Sequence, residues 1–391
     1  MNDLRKNVYK NYIFTFINNF NVTSGIWMLF LASRGLSLFE IGIMESIFHI
    51  TSFTMEIPTG MVADLYGRKF SRLLGRLVTI ISFLVMLFSH TTILFALSFI
   101  LQAIGYNLES GAGEALIYDS MKEIKEEHNY IKVKGKTEVL FQIASVFSLL
   151  LGGYLGTIDY RYVYMTAIAF SSIAFLEALT FTEPTIGKVE HLASPLLTFK
   201  KQLRDSFNAL KIDKRIVFLI ISAEIFATFV TTEFFYIQNL LKSQGQTEFQ
   251  IGILLSASSL AAAFGAANTY KLEIKFSFKK LLIILSAAGI LSFWGMTTAL
   301  IIPSFIFITI IESVLFIVMG NYINKLIKSE QRATLLSLQS MAFSFFMIVI
   351  FPIVGKIGDY YSLETSFIFI AVVSTIALSV IIYVAGNKIS I

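Results

Sequence analysis

Apolar runs long enough to cross a lipid bilayer recur along the whole chain and are separated by short polar segments. Each run predicts one transmembrane helix, so the pattern predicts an all-α integral membrane protein with twelve such helices. The longest polar interval, residues 183–215, divides an N-terminal six-helix half (1–182) from a C-terminal six-helix half (216–391). The runs fall at residues 9–32, 40–62, 73–89, 92–117, 139–157, 162–182, 216–241, 250–270, 280–300, 303–324, 334–356 and 365–386.

Lysine and arginine fall almost entirely on one side of the predicted membrane. If both termini are cytoplasmic, 27 of the 31 basic residues lie in cytoplasmic segments and 4 lie outside. Membrane proteins carry this excess in their short cytoplasmic loops. The pattern therefore predicts cytoplasmic N- and C-termini. It also explains the net charge of +5 through topology, without a nucleic acid partner.

The polar interval between the halves contains a basic segment in which apolar side chains recur at helical spacing. These side chains are Leu196, Phe199, Leu203, Phe207 and Leu210. The spacing predicts an amphipathic helix that lies on the cytoplasmic leaflet of the membrane. A binding site for a partner protein is the alternative interpretation.

The composition excludes a soluble enzyme. The chain is 55% hydrophobic and 15% charged, more apolar surface than a soluble domain can bury. Cysteine is absent, the four histidines are scattered, and no phosphate-binding or dinucleotide-binding motif occurs, so no metal or nucleotide cofactor is expected. The basic N-terminus leads directly into a full-length span, which favours a retained helix over a cleaved signal peptide.

The most specific segment lies between the second and third runs, where residues 60–72 read GMVADLYGRKFSR. Its glycines permit a sharp turn, its aspartate can accept backbone or guanidinium hydrogen bonds, and its basic side chains suit lipid head groups. A loop this short forces the adjacent helices into an antiparallel hairpin. The tetrapeptide at 67–70 alone favours a simple cytoplasmic anchor with a tight turn.

The full segment resembles the signature G-x-x-x-D-x-x-G-R-K between helices 2 and 3 of the major facilitator superfamily. The resemblance covers nearly the whole chain and implies a conformational latch on the cytoplasmic side. Within the superfamily the chain looks most similar to drug:proton antiporters of the multidrug and tetracycline efflux kind. It departs from them at Leu101, where they carry an arginine, and in keeping only Gly152 and Gly153 of their glycine-rich motif. The gating residues that the resemblance implies are Gly60, Asp64, Gly67, Arg68, Lys69 and Arg72. Asp119 lies close to the cytoplasmic end of the fourth span, where we expect it to pair with Arg68, Arg72 or Arg76.

The two halves also echo each other in sequence. SLFEIGIMES at 37–46 aligns with TEFQIGILLS at 247–256, at an offset of 210 residues, and GGYLGTIDYRY at 152–162 is weakly mirrored by VGKIGDYY at 354–361. This pattern indicates a parallel repeat of two six-helix halves. The second copy of the latch loop keeps its basic residues but lacks the glycine–aspartate frame.

Ionisable side chains inside membrane spans are costly, so each one is a candidate for function. Glu45, His49 and Glu56 fall within roughly 40° of one face of the second span. This polar stripe could bind and release protons; alternatively, its members lie at head-group level or bond to neighbouring helices. The resemblance implies that the first, fourth, seventh and tenth helices line a central cavity, which adds Glu109. The candidate proton- or substrate-binding residues are Glu45, His49, Glu56, Glu109, Glu224, Glu233 and Glu312.

No lysine or arginine falls well inside a predicted span. A cavity lined by carboxylates alone disfavours anions and favours protons and cationic or zwitterionic molecules. We therefore expect a proton-coupled secondary transporter of the plasma membrane that exports small amphipathic compounds of this charge by alternating access. It would act as a monomer, with a small-molecule substrate, protons and membrane lipids as partners and the proton gradient in place of a cofactor. Two alternatives stay open: proton-symport uptake of a nutrient or metabolite, and a sensor or immunity protein that binds a ligand without moving it.

Overall fold

Thirteen α-helices and one 3-10 turn make up the part of the chain that the computed structural model describes, residues 2–186, 214–326 and 332–387. No β-strand occurs among these residues. The amphipathic helix predicted at 196–210 lies outside them. The helices are α1 (Asn2–Asn18), α2 (Trp27–Ser33), α3 (Leu38–Tyr66), α4 (Arg68–Phe88), α5 (Thr92–Glu123), α6 (Tyr130–Ile158), α7 (Tyr160–Thr180), α8 (Lys214–Ser243), α9 (Glu248–Lys275), α10 (Phe278–Gly295), α11 (Ile301–Leu326), α12 (Arg332–Tyr360) and α13 (Leu363–Asn387).

The predicted runs and the observed helices agree closely. The second to twelfth runs coincide, in order, with α3 to α13. Within the described part of the chain, ten helices combine the length and hydropathy needed to cross a membrane; α1, α2 and α3 are not among them. The all-helical membrane fold is confirmed. The count of twelve crossings and the cytoplasmic termini stay predictions.

The first run does not form one continuous helix as predicted over 9–32, because α1 ends at Asn18 and α2 begins at Trp27. In the gap, Asn21 Oδ1 accepts hydrogen bonds from Thr23 Oγ1 at 2.7 Å and from the Thr23 backbone N–H at 3.3 Å. Short polar side chains of this kind compete with helical backbone hydrogen bonds. Hydropathy does not register that local competition, so the prediction was wrong here.

The helices pack into two compact units, and neither unit is a continuous stretch of chain. In the first unit α4 packs on α5 and α7, and α1 packs on α5, α6 and α7. In the second, α8 packs against α11, α12 and α13, and α10 against α13. Each unit thus combines most of one predicted half with a short segment of the other. Among the described residues, the first unit comprises 2–30, 47–186 and 247–252, and the second comprises 31–46, 214–246, 253–326 and 332–387.

The exchanged segments belong to the sequence repeat, and each begins a helix in the same way. At the start of α3, the Glu40 N–H donates to Ser37 Oγ at 3.2 Å, and the Ser37 N–H donates to the Glu40 carboxylate at 2.9 Å. At the start of α9, Thr247 and Gln250 make the same reciprocal pair at 3.3 and 2.8 Å. Such a capping box satisfies two backbone donors that a helix otherwise leaves unpaired. The repeat therefore fixes where both helices begin.

In the second unit, glycines bring the start of α3 against the end of α12. A Cβ on Gly42 would lie 2.5 Å from Pro352 Cα, and one on Gly355 would collide with the carbonyl oxygen of Leu38. The Asp359 carboxylate accepts the Leu38 N–H and the next N–H at 2.9 and 2.8 Å. The two backbones approach this closely because neither glycine has a side chain at the crossing.

The first unit repeats this arrangement between α9 and α6. A Cβ on Gly252 would lie 2.7 Å from the Leu149 carbonyl oxygen, and one on Gly153 would lie 2.6 Å from that of Glu248. The backbone N–H after Glu248 donates to Thr157 Oγ1 at 3.1 Å. In the sequence repeat, Thr157 aligns with Asp359, which accepts the corresponding N–H groups at the other crossing. The two crossings therefore use equivalent positions.

Candidate functional site

Two arginines and one glutamate lie together in the interior of the first unit. Arg72 and Arg76 are one turn apart on α4, and Glu109 faces them from α5. The two arginines are only 2% and 7% exposed. The sequence predicts a third span at 73–89 with both arginines at its cytoplasmic edge, whereas α4 begins a turn earlier and carries them inside. Both arginines thus lie within the first nine residues of α4, buried in the protein interior beside the carboxylate.

Arg72 is held on three sides. Its Nη2 lies 3.2 Å from Glu109 Oε1, and both of its terminal nitrogens lie 3.4 Å from Asn11 Oδ1. The guanidinium carbon lies 4.2 Å from the ring centre of Phe14 and 4.7 Å from that of Phe181. Cation–π contacts of this kind are favourable where the cation is shielded from water. The rings and the carboxylate leave Arg72 little freedom to move.

Arg76 has no comparable partner. Within the described residues it makes no hydrogen bond or ion pair, although its charge acts on Glu109. Three more buried polar atoms there lack a hydrogen-bond partner: Arg72 Nε, Glu109 Oε2 and Asn18 Oδ1. Buried polar groups are normally satisfied, and buried charges are normally paired. One carboxylate faces two arginines, so the cluster carries an excess of one positive charge.

Glycines on α4 and α5 make room for the cluster. A Cβ on Gly75 would lie 3.0 Å from the Gly105 carbonyl oxygen, so the helices cross closely at this point. A Cβ on Gly113 would lie 2.6 Å from both Arg72 Nη2 and Glu109 Oε1. The sequence places Gly113 on the same helical face as Glu109. The structure shows why this position is a glycine, since a larger residue would collide with the contact between Arg72 and Glu109.

A cavity of about 340 Å³ opens onto the cluster and is lined by α1, α4, α5 and α6. Arg72, Arg76, Glu109 and the unpartnered Asn18 line its deep part, beside the break that ends α1. The remaining charged side chains lie toward solvent. Glu114 pairs with Lys134 at 3.0 Å, and Glu138 accepts a hydrogen bond from Gln142 at 3.0 Å. Uncompensated positive charge is thus confined to the interior.

The latch segment is a much tighter turn than a ten-residue loop. Only Gly67 separates α3 from α4. Its backbone φ angle is 103°, a conformation that residues other than glycine rarely adopt. Arg68 pairs with Asp64 at 2.6 Å and lies 3.7 Å from Asp119. The predicted pairing of Asp119 with the latch arginine is therefore found. At Gly60, by contrast, a Cβ would meet no atom within 4 Å.

Glu183 completes the latch, and the sequence did not reveal it. Its carboxylate oxygens accept the backbone N–H groups of Arg68 and Lys69, each at 2.6 Å. A carboxylate at a helix N-terminus satisfies unpaired donors and interacts favourably with the helix dipole. Since 115 residues separate Glu183 from Arg68, no local spacing could have indicated this contact.

We expect Gly67→Ala to lower the free energy of unfolding by about 1 kcal/mol more than Gly245→Ala does. Both glycines have positive φ, 103° and 86°, so either replacement introduces backbone strain of about 1–2 kcal/mol. The new Cβ would have a close neighbour only at Gly67, where Glu183 Oε1 lies 2.7 Å away. The contact would displace Glu183, which caps α4, and the loss of a helix cap costs about 1 kcal/mol. Thermal unfolding of both variants in detergent measures the difference. Equal losses would show that the contact with Glu183 does not stabilise the fold.

A second group of carboxylates lies in the second unit. Glu224 on α8 is buried and accepts a long hydrogen bond, 3.4 Å, from Gln339 on α12. Glu312 on α11 is close enough to interact electrostatically with Glu224. Glu312 is half-buried, and two carboxylates that interact repel each other unless one holds a proton. The structure thus brings together two candidates from separate predicted spans.

The other candidates are dispersed. Glu233 is completely buried on α8, and neither of its carboxyl oxygens has a hydrogen-bond partner among the described residues. The predicted stripe lies on one continuous helix, α3, in which Glu45 belongs to the second unit and His49 and Glu56 belong to the first. His49 is buried with its ring 5.5 Å from that of Phe48, and Glu56 is exposed. Their roles in binding stay predictions.

Comparison with known proteins gives consistent matches over nearly the full length. A sequence profile described as the Major Facilitator Superfamily matches residues 11–302 and, in a second alignment, 217–388. The uncharacterized MFS-type transporter YxaM of Bacillus subtilis (strain 168) is 24% identical over 374 residues, which cover 94% of this chain and 92% of that protein. The crystal structure of the nucleoside transporter NupG matches with a TM-score of 0.78 at 15% identity, covering 98% and 100% of the two chains. An inward-facing, unoccupied bacterial homologue of the human lysosomal transporter Spinster matches with a TM-score of 0.75 at 15% identity, covering 98% and 97%.

Proposed function

The chain belongs to the Major Facilitator Superfamily, and from this premise we propose that it is a proton-coupled secondary active transporter that exports small amphipathic compounds by alternating access. Membership makes it a multi-pass membrane transporter and not an enzyme. Export and proton coupling are the proposed part. The observation that carries the proposal is the pair of interacting carboxylates in the second unit, the buried Glu224 and the half-buried Glu312.

The pair suits proton coupling because the binding of one proton lowers its negative charge by one and relieves the repulsion between its two carboxylates. One proton held by either Glu224 or Glu312 removes the repulsion between two carboxylates, and the amide of Gln339 donates a hydrogen bond to Glu224. The proton gradient would then drive transport without a cofactor. Glu233, buried without a hydrogen-bond partner among the described residues, is the second candidate carrier.

The substrate site is proposed to be the cavity of the first unit. It combines a buried polar cluster with a volume in the range of small-molecule sites. The sequence alone favours a cationic or zwitterionic substrate because it places no arginine inside the spans. Arg72 and Arg76 remove that reason, so the charge of the substrate has to be derived from the cavity itself.

Uptake by proton symport is the second candidate function. It is favoured by the similarity of the fold to NupG, which is a nucleoside transporter. Antiport and symport differ in the direction in which protons cross the membrane when substrate enters a vesicle. An antiporter exchanges substrate for a proton, whereas a symporter carries both the same way.

Proteoliposomes with an internal pH dye test the proposal. Small amphipathic compounds carrying charges from −1 to +1 are added outside, and we expect at least one to alkalinise the interior. Glu312→Gln should abolish this response, and Glu364→Gln, an exposed glutamate at the start of α13, should retain it. Acidification would establish symport instead. Substrate entry without proton movement in the wild type would refute proton coupling.

A further inference from the structure

We infer that the cavity of the first unit binds the carboxylate of an organic monoanion, with Arg76 as its principal partner and Arg72 beside it. The inference rests on the proposed function in that it names the substrate class of the same site. It reverses the expectation of a cationic substrate. Its basis is the combination of a cavity, two buried arginines and a single carboxylate to balance them.

Charge is the first argument. A guanidinium buried without a counter-charge is costly, and the cost falls when an anion binds to it. Glu109 balances one arginine through its contact with Arg72, which leaves Arg76 without a hydrogen bond or ion pair within the described residues. A ligand carrying one negative charge would neutralise the cluster. The planar fork of a guanidinium also matches the two oxygens of a carboxylate.

Geometry is the second argument. Both arginines line the cavity, but Arg72 is fixed between two aromatic rings and by its contact with Glu109, whereas Arg76 has no hydrogen bond or ion pair among the described residues. Tyr106 and Phe141 line the same space and offer apolar surface for the body of a small molecule. The same cavity therefore offers partners for both an anionic head and an apolar body.

The rim limits the charge of the ligand. Glu114 pairs with Lys134, and Glu138 interacts with the same lysine, so the rim has two carboxylates and only one lysine. A second negative charge on the ligand would lie near these carboxylates and gain no cation. The cavity should accordingly prefer a monoanion to a dianion.

Three probes of one shape test the charge preference: 3-phenylpropanoate, 3-phenylpropanamide and 3-phenylpropylammonium. Calorimetric titration of the purified full-length protein should show binding of the carboxylate at least tenfold tighter than of the amide or the ammonium. Arg76→Gln should remove this preference, Arg76→Lys should keep part of it, and Lys122→Gln, exposed on α5 outside the cavity, should leave it unchanged. Equal or tighter binding of the ammonium, or no binding of the carboxylate, would overturn the proposal.

A second measurement does not depend on ligand identity. The chain has no cysteine, so Ser110→Cys places a single thiol at an exposed position lining the cavity. An anionic methanethiosulfonate should modify this thiol faster than a cationic one of similar size. Arg76→Gln should lower the ratio of the two rates by about tenfold, and Glu109→Gln should raise it. Opposite shifts cannot come from a general folding defect, and an unchanged ratio in both variants would refute an excess of positive charge.

These measurements separate the inference from the proposed function. Binding and thiol modification need neither a proton gradient nor transport. Anion-selective binding without proton movement would refute the proton-coupled mechanism and leave the site assignment standing. Proton movement driven only by cationic compounds would support the proton-coupled mechanism and refute the anion-binding site.

Discussion

Gly113→Ala should lower the free energy of unfolding by about 3 kcal/mol and abolish the binding of 3-phenylpropanoate. The added methyl group would lie 2.6 Å from both Arg72 Nη2 and Glu109 Oε1, so the two side chains could not keep their contact. Arg72 cannot simply withdraw, because Phe14 and Phe181 hold its guanidinium. Breaking a buried ion pair while both charges stay buried costs about 3–5 kcal/mol.

The matched control is Gly111→Ala, two residues earlier on the same helix. A Cβ at Gly111 would meet no atom within 4 Å. Alanine is a better helix former than glycine by about 1 kcal/mol, so this variant should be as stable as the wild type or slightly more so. Heating the two variants in detergent, followed by titration with 3-phenylpropanoate, measures both effects. If Gly113→Ala matched the control in stability, the missing side chain would have no part in forming the ion pair.

Gly42→Ala should destabilise the second unit by about 2 kcal/mol. Its Cβ would lie 2.5 Å from Pro352 Cα, and a backbone atom cannot turn away as the end of a side chain can. Nearby, Ser46 Oγ donates to the Ile348 carbonyl oxygen at 3.0 Å, a bond that separating the helices would weaken. Overpacking of a close contact costs about 1–3 kcal/mol.

Two further variants make this prediction specific. Gly252→Ala, the equivalent position in the first unit, should destabilise the protein to a similar extent because its Cβ would lie 2.7 Å from the Leu149 carbonyl oxygen. Gly60→Ala, on the same helix as Gly42, meets no atom within 4 Å and should not destabilise it. Unfolding temperatures of the three variants provide the comparison. A loss at position 60 as large as that at position 42 would point to a general intolerance of alanine on α3.

The fold was largely predictable because the membrane imposes a simple requirement on the sequence. A helix that crosses a bilayer needs a long apolar run, and eleven of the twelve predicted runs became single helices. The exception at 19–26 arose from a hydrogen bond between Asn21 and Thr23, which depends on side-chain identity and not on hydropathy. The exchange of segments between the units could not be predicted from hydropathy either, because it depends on contacts between residues far apart in the sequence, such as Leu38 and Asp359.

The candidate site was only partly predictable. Glu109, Glu224 and Glu312 could be recognised because a carboxylate within an apolar run stands out. Arg76 was overlooked because it is near the start of its helix, where the positive-inside pattern accounts for any basic residue. Its four-residue spacing from Arg72 was the available signal, since it places both on the face that α4 turns toward α5. The contact of Glu183 with the latch had no signal in the sequence at all.

The paired glycine crossings bear on the history of the chain. Gly42 and Gly252 occupy equivalent positions of the repeat, and so do Gly355 and Gly153, yet each crossing joins a segment of one half to a segment of the other. Two identical six-helix chains would make these same contacts twice, as partners in a two-fold symmetric dimer. The crossings thus have the form expected of a dimer interface preserved by gene duplication and fusion. The latch differs in this respect, because its copy in the second half keeps the basic residues but has lost the glycine–aspartate frame.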